Sequence, residues 1–195
     1  MRHDLDDLAE DPLEPLSTPR LRLRAPLAAD LPRIAELAND RGVAEMLARV
    51  PHPYTLEDAE DFLAIAEGSV VFAVALAASD EFIGVCGLRP TERARTADLG
   101  YWLGRPHWGR GYATEAAQAV VDLAFRQGGM DCVLAGCRAI NGRSRRVLEK
   151  CGFQYRGTST FVSLAAGRVA GEQFGLDRRT WESLKAWGRL GAEAC

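Results

Sequence analysis

The chain has 195 residues, 47% of them hydrophobic, and a formal net charge of −3. That length suits one well-buried domain and is short for two, and no apolar run approaches the roughly 18–20 residues that span a bilayer. Residues 1–16 hold six acids and one base, which leaves the rest near neutral and argues against a dedicated nucleic-acid binder.

Residues 1–16 contain Pro12 and Pro15 and lack a sustained apolar period, so they are expected to form a flexible acidic extension, with the folded domain at 17–195. Leu21-Arg22-Leu23-Arg24 alternates like a half-buried strand. Asp30 is placed to cap a helix that has Pro32 in its first turn and Leu31, Ile34, Ala35 and Ala38 on one face. Val50-Pro51-His52-Pro53-Tyr54 reads as a rigid connector. Thr55 and Asp58 resemble a capping box for a helix carrying Ala59, Phe62, Leu63 and Ala66. Strands are expected at 70–76, 82–88 and 97–103. After Gly111, residues Ala113, Ala116, Ala117, Val120, Val121, Ala124 and Phe125 follow helical spacing until Gly128-Gly129. A strand at 132–137, a helix at 143–150, strands near 155–162 and 168–176 and a helix near Trp181 complete an α/β order with a sheet of mixed direction.

The five cysteines (Cys86, Cys132, Cys137, Cys151 and Cys195) form no CxxC pair and no zinc-type spacing with histidine. They read as small buried hydrophobes in a reducing, cytoplasmic setting. No metal site is expected.

The segment from Tyr101 to Ala113 runs from a strand through a glycine turn into a helix. Glycine lets a phosphate approach the backbone, and a helix start presents unpaired N–H groups. A P-loop would need Lys and Ser or Thr after its last glycine, where Tyr112 stands. A dinucleotide fingerprint would need Gly or Ala where Thr114 stands. By itself the turn is equally a tight helix start.

Its surroundings are more specific. Asp98-Leu99-Gly100-Tyr101-Trp102-Leu103, followed by Trp108-Gly109-Arg110-Gly111-Tyr112-Ala113-Thr114-Glu115-Ala116, resembles the pyrophosphate-binding motif of the GNAT N-acetyltransferase superfamily, its RimJ/RimL-type branch above all. Asn141-Gly142-Arg143-Ser144 leading into Val147–Phe153 is similar to the second family signature. Thr18–Arg24 and Pro53-Tyr54-Thr55 are similar to the same branch. The resemblance spans about residues 17–185. It implies a single domain with a mixed, mostly antiparallel twisted sheet of about seven strands flanked by helices. It also implies transfer of an acetyl group from acetyl-CoA to a primary amine, either a protein N-terminus or a small amine, by direct attack, in a monomer or homodimer.

The resemblance further implies that amides of Gly109, Arg110, Gly111, Tyr112 and Ala113 hold the CoA pyrophosphate, with His107 and Trp108 at the entrance. The strand edge at Tyr101, Trp102 and Leu103 would pair with pantetheine amides. Pro106 departs from the Gln or Arg usual there, and Arg105 and Arg110 are candidate phosphate charges. Asn141 is a cofactor contact or a helix cap. Leu148 stands where many members carry a tyrosine acid, so Ser144, one turn earlier, is the expected thiolate donor. Asp98, beside the acetyl slot, is the leading candidate base, ahead of Glu115, which also suits a helix start, and Glu172, His52 and Tyr54. Two rival readings are a non-catalytic acyl-CoA-binding or interaction domain on the same scaffold and a nucleotide-phosphate enzyme.

Overall fold

The computed structural model describes Leu5 and residues 13–66 and 69–192, side chains 188–192 excepted. Most of the acidic extension and Cys195 lie outside the described residues. Leu5 is buried in the main core, and Leu16–Ser17 form a short strand, β1.

β2 (Leu21–Arg24), β3 (Val70–Leu76), β4 (Phe82–Pro90), β5 (Thr96–Leu103), β6 (Cys132–Arg138), β7 (Gln154–Ser163) and β8 (Gly167–Asp177) complete one eight-stranded sheet in the order β1-β2-β3-β4-β5-β6-β8-β7. Every pairing is antiparallel except β5 with β6. The expected strands are all present, two with the expected bounds and the other five longer by one or two residues. The two-residue β1 is the eighth strand, too short to show a period.

The sheet is covered on both faces. One carries α4 (Tyr112–Arg126), α5 (Gly142–Lys150) and the Trp181 turn of α6 (Arg178–Ala192), packed on a core that includes Leu23, Phe72, Ile83, Leu99, Val133 and Phe174. The other carries α1 (Leu31–Ala38) and α3 (Leu56–Ala66), packed on Ala73, Phe82, Val85 and Trp102. Helix α4 buries Ala116, Ala117, Val120, Val121, Ala124 and Phe125, as its spacing requires. The Thr55–Asp58 box is present: Thr55 N–H donates to Asp58 at 2.7 Å and Asp58 N–H to Thr55 Oγ1 at 3.2 Å. A short helix α2 (Arg41–Ala44), capped by Asp40, has too few residues to show a period.

Asp30 does not cap α1. Its buried carboxylate accepts two bonds from Arg24, at 2.7 and 2.9 Å, and one from Leu27 N–H at 2.8 Å. Arg24, read as half of an alternating strand, is itself buried and reaches Asp80 as well. A buried guanidinium needs a carboxylate more than a helix start needs a cap.

β5 and β6 are hydrogen-bonded only from Thr96–Cys132 to Leu99–Ala135, yet β5 continues to Leu103 and β6 to Arg138. Each stays paired on its far side, β5 to β4 through Leu103–Gly84 and β6 to β8 through Arg138–Gly171. The sheet therefore splits just beyond Leu99 and Ala135, with Gly100 and Gly136 on either lip.

Removing one member of a buried ion pair strands the other, so Asp30→Ala is expected to lower stability by about 3 kcal/mol in urea unfolding; a loss under about 1 kcal/mol would show the pair to be dispensable.

Candidate active site

The chain leaves β5 through Gly104 and a 3-10 turn at Arg105–His107, and enters α4 through Trp108-Gly109-Arg110-Gly111. Gly109 and Gly111 have φ of +76° and +82°, the left-handed region that disfavours side chains. Gly111 occupies the N-cap and offers no capping side chain. Among the described residues the amides of Gly109 through Thr114 find no acceptor. A Cβ at Gly109 would meet nothing within 4 Å, so the turn is a bare cradle of unpaired donors at the positive end of a 15-residue helix.

The cradle is braced from beneath. Trp108 Nε1–H donates to the Leu103 carbonyl at 2.7 Å, tying the turn to the end of β5. Arg20 donates to the Arg110 carbonyl at 2.9 Å and stacks 4.8 Å from the centre of the Tyr112 ring. Glu115 accepts from Thr18 Oγ1 at 2.6 Å, from Arg20 N–H at 2.9 Å and from Arg20 Nε at 2.7 Å. Burial opposes its ionisation, but the bonds from Thr18 and Arg20 outweigh that and hold its carboxyl below the ordinary value. Glu115 is thus a clamp between the β2 entry and α4, not a base.

His107 lines the groove wall, but its ring is buried, 3.8 Å from Glu81, with both nitrogens unpartnered, and burial depresses its pKa. It packs under the turn. Arg105 faces Asp40 at 3.6 Å. Arg143, which the sequence reading passed over, lies 5.2 Å from the centre of the Trp108 ring and brings a guanidinium to the cradle. Stacking between residues 35 positions apart leaves no local signature.

On β5 the side chains divide. Tyr101 and Leu103 face α4 and α5, while Asp98, Gly100 and Trp102 face α1 and α3, as alternation requires. Tyr101 Oη lies 2.8 Å from Ser144 Oγ on the first turn of α5. Asn141 caps that helix, accepting from Ser144 N–H at 3.1 Å. Burial raises the Tyr101 pKa, so the phenol stays neutral. Leu148 is fully buried.

The other base candidates are held elsewhere. Asp98 is paired with Arg89 at 3.1 Å. Glu172 does not face the acceptor side: it stands opposite Cys137 in register and contacts Arg145 of α5. Tyr54 is buried, donates to the Asp58 carbonyl at 3.0 Å and has its pKa pushed up to about 12 by burial. His52 is exposed and outside the groove wall.

A continuous groove of about 1350 Å³ joins these parts. It runs from the glycine cradle past Asn141 and Ser144 to the split between Gly100 and Gly136, then on to Met46, Leu47, Val50, Phe62, Phe161 and Leu164, where Ser163 Oγ of the β7–β8 hairpin donates to the Leu47 carbonyl at 2.7 Å. One arm offers unpaired amides, the split offers unpaired strand edges, and the far arm mixes apolar side chains with Arg49, Asp58 and Asp61.

Residues 20–154 match the family described as Acetyltransferase (GNAT) domain. The chain belongs to the GNAT acetyltransferase family. The uncharacterized N-acetyltransferase p20 of Bacillus licheniformis is 29% identical over 164 residues, which is 80% of this chain and 92% of that protein. The ribosomal-protein-serine acetyltransferase of Escherichia coli is 34% identical over 79 residues, 40% of this chain and 44% of that protein. The fold is that of a GNAT-family acetyltransferase from Bacillus anthracis, with a TM-score of 0.78 at 22% identity, covering 85% of this chain and 99% of that one. As a GNAT acyltransferase the protein draws its acetyl group from acetyl-CoA. The bare amide cradle and the split sheet fit that donor. Membership of this family removes the nucleotide-phosphate reading.

The Glu115 clamp carries a pH signature. Its pKa is lowered on folding, so its contribution is complete above the ordinary carboxyl value of 4.5 and is lost as pH falls through the lower folded value. Glu115→Gln is expected to cost about 2 kcal/mol near neutrality. Urea melts of the two proteins should converge in acid; a gap that persists there would refute the clamp.

Proposed function

We propose that the protein is an N-terminal acetyltransferase of the RimJ/RimL type, which moves the acetyl group of acetyl-CoA to the α-amine of a polypeptide. The observation that carries this reading is the state of the carboxylates. Asp98, Glu115 and Glu172, the carboxylates that the sequence offers as bases, are held by Arg89, by Thr18 and Arg20, and by Arg145. With ordinary pKa values of about 7.7–8 for an α-amine and 10.4 for lysine, the neutral fraction near neutrality is two to three orders of magnitude larger for the α-amine. An acceptor that loses its proton to water suits a groove in which these three carboxylates are engaged. The match to the E. coli ribosomal-protein-serine acetyltransferase supports the same branch.

In this reading the amides of Gly109, Arg110, Gly111, Tyr112 and Ala113 hold the pyrophosphate, and Arg110 and Arg143 add charge. The free edge from Gly100 to Leu103 takes pantetheine amides, Trp108 and His107 shape the entrance, and Trp102 walls the acceptor side. Unpaired strand N–H groups at the split polarise the thioester carbonyl. Asn141 sets the start of α5, and the Ser144 hydroxyl meets the sulfur as it takes up charge. Asp98 keeps Arg89 at the acceptor floor, and the amine loses its proton to groove water. We assign the transferase domain to residues 17–195; the family match to 20–154 and the stacking of Trp181 on Phe125, with centroids 5.2 Å apart, support that span. The described cysteines are all free and no described helix is long and apolar enough to cross a membrane, which supports a cytoplasmic setting.

Thiol release from acetyl-CoA should be at least about tenfold faster with peptides bearing a free N-terminus than with N-terminally blocked, lysine-containing peptides. Faster turnover of a polyamine or aminoglycoside would overturn the assignment of the acceptor. Separately, Gly111→Val places a β-branched residue at φ +82° and should weaken CoA binding by at least about tenfold in calorimetry. Unchanged affinity would sink the cradle.

A further inference from the structure

We infer that Tyr101 is a positioning residue for the transfer: its phenol donates to Ser144 Oγ and so turns the serine's own hydrogen toward the thioester sulfur. The inference rests on the reading that Ser144 meets the sulfur, and goes beyond it by assigning what aims Ser144.

A serine hydroxyl carries one hydrogen and rotates to suit its neighbours. In a first helical turn it can fold back onto local backbone groups, which would leave nothing for a ligand. Tyr101 Oη sits 2.8 Å from Ser144 Oγ and 3.3 Å from the Ser144 carbonyl, so the shorter contact is between the hydroxyls. Of the two, the phenol is the more acidic and the better donor. Once an Oγ lone pair accepts from Tyr101, the serine hydrogen is left for a third partner, and the groove lies alongside.

The arrangement is rigid on both sides. Tyr101 stands on β5, paired opposite Cys86 of β4, with its ring against the main core. Ser144 is fixed by the bond of its N–H to Asn141. The titratable groups around the phenol are the thiols of Cys151, Cys86 and Cys137. Burial keeps each of them protonated, so no formal charge from these thiols competes for the phenolic hydrogen.

The chemistry balances without consuming either hydroxyl. The amine lone pair forms the new C–N bond, and the C–S bonding pair leaves on sulfur. The proton lost by nitrogen reaches sulfur through groove water. While charge builds on sulfur, the Ser144 O–H bond to it strengthens, and the bond from Tyr101 to Oγ polarises that hydroxyl further.

The test needs only coenzyme A. The thiol of enzyme-bound CoA is titrated by its thiolate ultraviolet absorbance, with affinity followed by calorimetry. Tyr101→Phe keeps the ring and removes only Oη. It should raise the bound thiol's pKa by about one unit relative to wild type, as Ser144→Ala should. The double variant should shift it no further than Ser144→Ala alone, because the two hydroxyls act as one unit. In turnover with a free-N-terminus peptide, Tyr101→Phe should lower kcat roughly tenfold with little change in KM for acetyl-CoA. A wild-type titration in Tyr101→Phe beside a shifted one in Ser144→Ala would overturn the role of Tyr101 and leave Ser144 standing. A wild-type titration in Ser144→Ala would overturn the reading beneath it. Additive shifts in the double variant would show that Tyr101 acts by some route other than the serine.

Discussion

Everything at the site follows from the parting of β5 and β6. Two parallel neighbours share hydrogen bonds for four residues and then separate, while each remains pinned along its other edge. Backbone N–H and C=O groups are obligatory hydrogen-bonding partners, so an interior strand edge left open asks for an outside partner. An extended ligand with amides at strand spacing answers that need. The split also fixes where the helices begin. α4 follows β5 and α5 follows β6, so both helix starts, with their unpaired donors, lie at the mouth of the opening. The preference for ligands at the carboxyl ends of parallel strands has the same origin.

Holding such an opening requires its rim to be stiff. The rim is stiffened by charge pairs set just outside it. Glu115 bonds Thr18 and Arg20, so the chain entering β2 is latched to the start of α4. Arg20 in turn supports the Arg110 carbonyl and leaves the neighbouring amides free. Trp108 bonds the Leu103 carbonyl and fixes the angle between β5 and the turn. These contacts engage the carboxylates and carbonyls that would otherwise face an anionic ligand, and the donors remain. With those acids tied up, the cradle proposed for the pyrophosphate presents donors and no free carboxylate from Glu115.

Legibility from sequence followed the range of the interaction. Helix α4 and the long strands were readable because burial of one face imposes a local period: Val120, Val121 and Phe125 repeat at helical spacing, and Tyr101 with Leu103 alternate against Asp98 and Trp102. The glycine turn was readable because positive φ calls for glycine. What escaped were features without a local signature. Helix α2 has four residues and β1 two, too few for any period. Asp30 looked like a cap because the chain order suits one; its bond to Arg24 is a tertiary choice. The roles of Glu115 and Arg143, and the facing of Glu172 toward α5 instead of the acceptor side, depend on partners 27 to 97 positions away. The resemblance assigns the Tyr101 backbone to the cofactor edge, while its hydroxyl bond to Ser144, 43 positions on, belongs to the packing of α5 against β5.

The leucine at position 148 is the departure most damaging to a catalytic reading, since it cannot donate a proton. In the fold it is completely buried under α5, where a phenol would require a partner that the core does not provide. The hydroxyl is instead supplied from the opposite wall. Tyr101 rises from β5 toward the same helix turn and meets Ser144 at its groove-facing edge. A strand anchored to β4 along its whole length is a firmer base for that group than a helix of nine residues. A helix that carries the serine alone can then keep an apolar inner face, with Val147, Leu148 and Cys151 against the core. With leucine at 148, the stabilising hydroxyl is on this view divided between two elements, and the bond from Tyr101 to Ser144 ties β5 to the first turn of α5.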